Sequence, residues 1–355
     1  MKLRYAQKLL FAAGLAGAVA VVVAACGGSS GDTINGSGST FVAPVYSQFA
    51  NTLKGQGLTV NYQAVGSGQG IADLTANTVD FADSDSAMKD EEIAATKKNG
   101  EPVHVPTVFG AITVSYNLPG VKSGLKLDGA TIADIFLGKI TYWDDAAIKA
   151  LNPGVTLPHT DITVVHRSDE SGTTALFTTF LSDYSSEWKS KVGTDKTVKW
   201  PVGTGAKGND GVAGGVKQTE GAVGYVEEAY ALQNHFTTAD VKNAAGQFVA
   251  PTLASTSAAG DGLKVPSDLR FSAINAPGAA AYPIASATFA LVYQDMCKAG
   301  KSKATAQNVV KFLDYALGAG QKEASKLNYA PLPASVLAKA KAKVKGLQCN
   351  GAPIA

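Results

Sequence analysis

Arginine is nearly missing from this 355-residue chain: Arg4, Arg167 and Arg270 stand against 28 lysines. Cysteine is equally scarce, with Cys26, Cys297 and Cys349 alone. The four histidines, His104, His159, His166 and His235, show no ligand spacing and no Cys/His cluster accompanies them, so the sequence offers no zinc site and implies no metal. The G-x-x-x-x-G-K-[ST] loop is absent too, so the chain supplies no ATPase of its own. A formal net charge of +2 is close to neutral, so nothing suggests a nucleic-acid partner, which would need a basic face. There is no internal repeat.

What is present begins with a leader. Residues 1–26, "MKLRYAQKLLFAAGLAGAVAVVVAAC", run from a basic start (Lys2, Arg4, Lys8) through an apolar stretch to small residues and Cys26. The stretch from Leu9 to Ala25 is nearly long enough for an uncleaved membrane span. Yet "VAAC" before "GGSSGD" resembles a bacterial lipobox, so residues 1–25 are expected to be a signal peptide. Cys26 then becomes the lipidated first residue, with 26–32 as a tether on the extracytoplasmic face of the cell membrane. Removing residues 1–25 takes away three positive charges, so the net charge falls from +2 to −1 and 330 residues remain. That length, at 45% hydrophobic and 17% charged, predicts a large core and about two domains. Outside the cell, Cys297 and Cys349 have only each other, so a disulfide clip is expected, the alternative being two buried thiols.

Short strand-like runs alternate with helical ones, an α/β pattern. Strands are predicted over 58–65, 105–117, 161–167, 221–226 and 287–294, and helices over 43–55, 131–138, 173–184, 308–320 and 333–344. The run 105–117 exceeds an average strand and could leave one sheet for another, while 282–293 could carry the chain back. Two such crossovers make the first domain discontinuous, with a cleft between lobes.

Three stretches share one grammar, a Gly/Ser/Thr-rich loop followed by a helix: residues 34–50, 65–76 and 166–180. The first amides of a helix lack intrahelical partners and the macrodipole adds positive charge, so such an end suits an anion. Glycine admits close backbone approach and Ser or Thr adds a donor. Ser and Thr also cap helices routinely, which explains any one loop alone. The third loop, "HRSDESGTTALF", holds one of the rare arginines.

The blocks "GSGSTFVAPVYSQFA", "VNYQAVGSGQGI", "NTVDFADSDSAM", "HRSDESGTT", "VKWPVGTGAKGNDGV" and "GAVGYVE" resemble, in order and spacing, the phosphate-binding proteins of bacterial phosphate ABC transporters. The resemblance covers about residues 33–345. It implies a two-lobed periplasmic-binding-protein-like fold of type II, with two hinge strands and phosphate enclosed in the cleft. Residues 33–108 with 284–355 would form lobe I, and 109–283 lobe II. It implies phosphate contacts from Thr40, the Phe41 amide, Ser67, Asp85, Arg167, Ser171, the Gly172 amide and Thr173, with Asp169 bracing Arg167. It implies no cofactor and no catalytic residue, and as partner the permease subunits of an importer.

The residue chemistry fits independently. A guanidinium matches phosphate oxygens with a planar fork. An ionised Asp85 can only accept hydrogen bonds, so beside an anion it repels unless the anion carries a proton. Phosphate near neutral pH does and sulfate does not, so Asp85 is expected to select between them. Glu170 stands where family members often have glycine, and it suits an anion site only if it faces solvent or a lysine.

Other signals carry less. "GTGAKG" (203–208) satisfies G-x-G-x-x-G but follows "KWPV", whose proline argues against a central strand. Trp143, Trp188 and Trp200 read as packing, and His166 as a strand-end residue. The rival class is a secreted phosphatase or serine hydrolase using Ser67 or Ser171; neither lies in G-x-S-x-G, and His166 is the sole nearby base. A receptor for another tetrahedral oxyanion would keep the fold and change the ligand.

Overall fold

The computed structural model describes residues 33–354. The expected signal peptide, the tether and the lipidated Cys26 lie outside the described residues. The chain is mixed α/β, organised on one nine-stranded sheet. Its strands are β1 (Thr33–Gly38), β2 (Thr59–Ala64), β3 (Phe81–Ser84), β4 (Pro102–Tyr116), β5 (Thr163–Arg167), β6 (Thr204–Ala206), β7 (Ala222–Glu227), β8 (Thr237–Thr238) and β9 (Ala285–Tyr293). They lie in the order β2-β1-β3-β9-β4-β7-β5-β6, with β8 also on β4.

Two strands determine how the halves connect. All fifteen residues of β4 are buried, as are the nine of β9. Near-continuous Val, Ile, Phe and Thr runs of this kind belong to strands covered on both faces. From Pro102 to Ala111, β4 pairs antiparallel with β9; from Ile112 to Tyr116 it pairs with β7. The long run expected to change partners does so within a single continuous strand. On one side β1, β2 and β3 are parallel, and on the other β5, β6 and β7 are parallel. β4 and β9 are the two strands that join these parallel sets, the role anticipated for hinge strands.

Parallel strands need helical crossovers, which accounts for the alternation read in the sequence. The helices nearest the site are α1 (Ala43–Lys54), α2 (Ser67–Thr75), α3 (Gly172–Tyr184), α4 (Gly208–Gln218) and α5 (Glu228–Gln233). α3 starts because Ser171 is extended and its hydroxyl accepts from the Thr174 amide at 3.1 Å, the arrangement that satisfies an orphan donor. The helix expected over 308–320 is instead Lys303–Ala316, followed by a separate Gly320–Lys326. Ser302 caps it from an earlier start than the apolar pattern indicated, its hydroxyl accepting from the Thr305 amide at 3.0 Å.

Trp143 and Trp188 are fully buried, in keeping with packing. His166 lies on β5, where its ring stacks on Trp200 with centroids 4.7 Å apart. A disulfide joins Cys297 to Cys349 across a separation of 52 residues. Among the described residues no helix is long and apolar enough to cross a membrane, and no cluster of three or more His, Cys, Asp or Glu could hold a metal ion.

Candidate functional site

The three glycine-serine loops converge. β1 delivers Ser39, Thr40 and Phe41 at its C-terminal end; β3 delivers Asp85; β5 delivers Arg167. These are carboxyl ends of parallel strands, where crevices form in α/β sheets. α2 and α3 meet tip to tip over them. A Cβ added to Gly172, first residue of α3, would lie 2.5 Å from Ser67 Oγ and 2.9 Å from Asp85 Cβ. Only glycine permits that approach, so two helix N-termini and one carboxyl share a single small space.

Arg167 is 3% exposed. Its Nε donates to Asp169 Oδ1 at 2.7 Å and its Nη2 to Oδ2 at 2.5 Å, a bidentate pair, while Nη1 reaches Thr173 Oγ1 at 3.4 Å. Asp169 also accepts from the Gly208 amide at 3.0 Å. Burial pushes the Asp169 carboxyl up, but the bond and charge of Arg167 outweigh it and hold it below the ordinary Asp value. The brace expected between Asp169 and Arg167 is thus present, and it orients the Nη1 edge toward Thr173 and Asp85.

Asp85 is fully buried and collects donors. The Ser39 hydroxyl donates to Oδ1, the Thr288 hydroxyl reaches Oδ1 at 3.1 Å, and Thr173 donates to Oδ2 at 3.1 Å. Burial pushes its carboxyl above the ordinary Asp value, although Ser39, Arg167 and Thr173 pull it down. Ser67 Oγ accepts from the Asp85 amide at 3.3 Å. The Ser171 hydroxyl caps α3, and the Phe41 amide is directed to Ser39 Oγ at 2.9 Å.

Several members of this assembly were not singled out from the sequence. Asn209, at the start of α4, donates from Nδ2 to Thr40 Oγ1 at 2.8 Å, and its Oδ1 accepts from the Glu227 amide at 3.0 Å. It lies in the block holding "GTGAKG", which therefore packs against the first loop rather than forming a dinucleotide turn. Tyr225 donates to or accepts from Thr174 at 2.6 Å and accepts from the Arg167 amide at 3.1 Å. The Glu227 carboxyl is pushed well above the ordinary Glu value by burial and then by Glu228. Its Oε2 accepts from the Ala229 amide at 2.8 Å and lies 2.9 Å from the Tyr329 hydroxyl, which also reaches the Phe41 carbonyl at 2.6 Å.

Glu170 has a definite place. Its carbonyl accepts from the Gly68 amide at 3.0 Å, and a Cβ on Gly68 would come 2.2 Å from Glu170 Oε2. The side chain is exposed, in a groove of about 570 Å³ that Lys207, Gln69 and Asp73 also line. It therefore faces solvent, with a lysine in the same groove. Two further ion pairs join residues distant in sequence: Lys196 to Glu92 at 2.6 Å, with the Lys196 side chain only 4% exposed, and Lys89 to Asp195 at 2.7 Å.

Among the described residues, neither Ser67 nor Ser171 has its hydroxyl hydrogen-bonded to a histidine or carboxylate side chain. Their hydroxyls accept from the Asp85 and Thr174 amides respectively, and His166 Nδ1 is engaged with the Arg167 carbonyl at 3.0 Å. The constellation of hydroxyls, helix N-termini and one forked guanidinium is suited to holding an oxyanion.

A family profile described as a PBP superfamily domain matches residues 24–319. The phosphate-binding protein PstS of Xylella fastidiosa (strain 9a5c) is 42% identical over 308 residues, covering 86% of this chain and 82% of the relative. The chain belongs to this family. PstS of Haemophilus influenzae is likewise 42% identical, over 318 residues, 88% of this chain and 93% of the relative. Among solved structures, a phosphate-binding protein from Stenotrophomonas maltophilia superposes with a TM-score of 0.65 at 21% identity, covering 87% of this chain and 93% of the other. That likeness concerns the fold, which is the two-lobed one expected. The PstS relatives are named for binding, not for catalysis.

Proposed function

We propose that this protein is the extracytoplasmic receptor of a phosphate importer: it encloses inorganic phosphate between two lobes and presents it to the permease subunits of an ABC transporter. The observation that carries this reading is the convergence of two helix N-termini and a buried, braced arginine on the acceptor Asp85. Thr40, the Phe41 amide, Ser67, Arg167, Ser171, the Gly172 amide and Thr173 would supply donors to phosphate oxygens, and Asp85 would accept the phosphate proton. Names of relatives at 42% identity support the same ligand. In this reading residues 33–108 with 284–355 form lobe I and 109–283 form lobe II. The change of β4 partner after Ala111, three residues beyond the proposed boundary, supports a division within this strand. The bonds of Thr173 to Asp85, Asn209 to Thr40 and Gly68 to Glu170 then tie the lobes together in a closed form. Cys26, lipidated after removal of residues 1–25, would keep the receptor at the outer face of the membrane.

This reading assigns no catalytic role, since among the described residues neither candidate serine hydroxyl is bonded to a basic side chain. The test is calorimetric titration of the protein with inorganic phosphate, alongside incubation with a chromogenic phosphate ester. Tight stoichiometric binding without turnover is expected. Ester hydrolysis abolished by Ser171→Ala would overturn the reading in favour of a hydrolase.

A further inference from the structure

A second carboxyl lies behind the site, and the ligand contacts proposed above make no use of it. Asp83 on β3 is fully buried and lies two positions before Asp85, which follows the strand's last residue, Ser84. The Thr288 hydroxyl of β9 touches both: it contacts Asp83 Oδ1 and lies 3.1 Å from Asp85 Oδ1. One hydroxyl has one proton, so it donates to only one of the two. Asp83 Oδ2 accepts from the Tyr46 hydroxyl at 2.8 Å.

We infer that Asp83 is held as a carboxylic acid and, by donating to Thr288, positions that hydroxyl to donate to Asp85, which keeps Asp85 the ionised acceptor facing the ligand. Every proton is then used once. Asp83 Oδ1 gives its proton to Thr288 Oγ1; Thr288 gives its own to Asp85 Oδ1; Tyr46 gives its own to Asp83 Oδ2. Asp85 receives Ser39 and Thr288 on Oδ1 and Thr173 on Oδ2. A carboxylate offers about four acceptor positions, so one on Oδ2 is left for a proton carried by the ligand.

Charge gives the same assignment. The guanidinium of Arg167 is already paired with Asp169. Two further ionised carboxylates in this buried space, beside an anion, would have no cation of their own. Burial raises both carboxyls, but Asp85 has more donors and feels Arg167, which pull it back down, whereas Asp83 feels Asp85 as its principal charged neighbour, and burial followed by Asp85 pushes it well above the ordinary Asp range. The groups facing Asp83 from the packed elements are Tyr46 of α1, Tyr62 of β2, Thr107 of β4 through Tyr46, and Thr288 of β9. Both tyrosines are pushed up by burial and stay neutral, so the charge nearest Asp83 is that of Asp85.

The consequence rests on the phosphate reading. As pH rises through the Asp83 titration, Thr288 turns to donate to Asp83, Asp85 loses a donor, and a second negative charge joins the site. Phosphate affinity then falls by about tenfold per pH unit, one proton's worth of linkage. The experiment is titration with inorganic phosphate across neutral to alkaline pH for the wild type, Asp83→Asn and Thr288→Val. Asparagine donates to Thr288 and accepts from Tyr46 without titrating. Its affinity should match the wild type at neutral pH and lose the alkaline decline. Thr288→Val should weaken binding at neutral pH and uncouple the decline from Asp83. Infrared spectroscopy of the wild type should show a protonated-carboxyl band that Asp83→Asn lacks. An Asp83→Asn profile identical to the wild type, or an unchanged infrared band, overturns the inference. Failure of the wild type to bind phosphate at all would instead overturn the functional reading.

Discussion

Replacing Arg167 with lysine keeps the charge and removes the fork. In the structure Asp169 occupies Nε and Nη2, at 2.7 and 2.5 Å, and leaves the Nη1 edge toward Thr173, Asp85 and the converging helix ends. A lysine ammonium is a single point donor on a flexible stem, so it must serve either Asp169 or the ligand. At least one charge-assisted hydrogen bond to the ligand is lost, about 1.5–3 kcal/mol. That corresponds to roughly a 10- to 150-fold rise in the Kd for phosphate. The assay is calorimetric titration of the purified variant, with thermal melting to establish that it is folded. Wild-type affinity in a folded Arg167→Lys protein would remove Arg167 from the site and refute the reasoning. Loss of folding alone would be met by Asp169→Asn, which keeps one acceptor for the guanidinium and should weaken phosphate binding without unfolding the chain.

Four other outcomes follow from the same geometry. Thr173→Val deletes the hydroxyl linking Asp85 to Arg167 and should cost about 1–3 kcal/mol in phosphate binding, read by titration, because Asp85 loses a donor in a dry space. Glu170→Gln should tighten binding by no more than about fivefold, and the gain should vanish at high salt, since this carboxylate is exposed and screened. Serine at both Cys297 and Cys349 opens a loop of 52 residues and should lower stability by up to about 4 kcal/mol in denaturant melts while leaving phosphate affinity unchanged. The folded value of Asp169 is depressed, so its pairing stabilises the protein above the unfolded Asp value of 3.8 and is lost as pH falls through the lower folded value. The acid unfolding midpoint should therefore rise to higher pH in Asp169→Asn, measured by circular dichroism.

The loops were legible because their signal is local. Gly/Ser/Thr followed by an amphipathic run marks a helix N-terminus, and a lone arginine beside Asp169 marks a paired guanidinium. The long apolar run in β4 foretold a strand that changes partners. What escaped reading depends on distant pairing. Thr288 lies 203 residues from Asp85 and meets it only because β9 returns antiparallel beside β3. Asn209 lies 169 residues from Thr40, in a block whose glycines suggest another motif. Asp83 resembles any acidic residue near a turn until burial and a shared hydroxyl give it a role. Glu170, whose charge conflicts with an anion site on paper, is reconciled by exposure: its carbonyl accepts from Gly68, and the residue lies in a solvent-exposed groove that Lys207 also lines.

The most direct test of the account is calorimetric titration of the wild-type protein with phosphate and with sulfate at two pH values. Asp85 is buried and accepts every hydrogen bond it makes through its side chain, so a ligand without a proton meets an uncompensated carboxylate. The account predicts tight phosphate binding and no measurable sulfate binding at either pH. Sulfate bound as tightly as phosphate would contradict it.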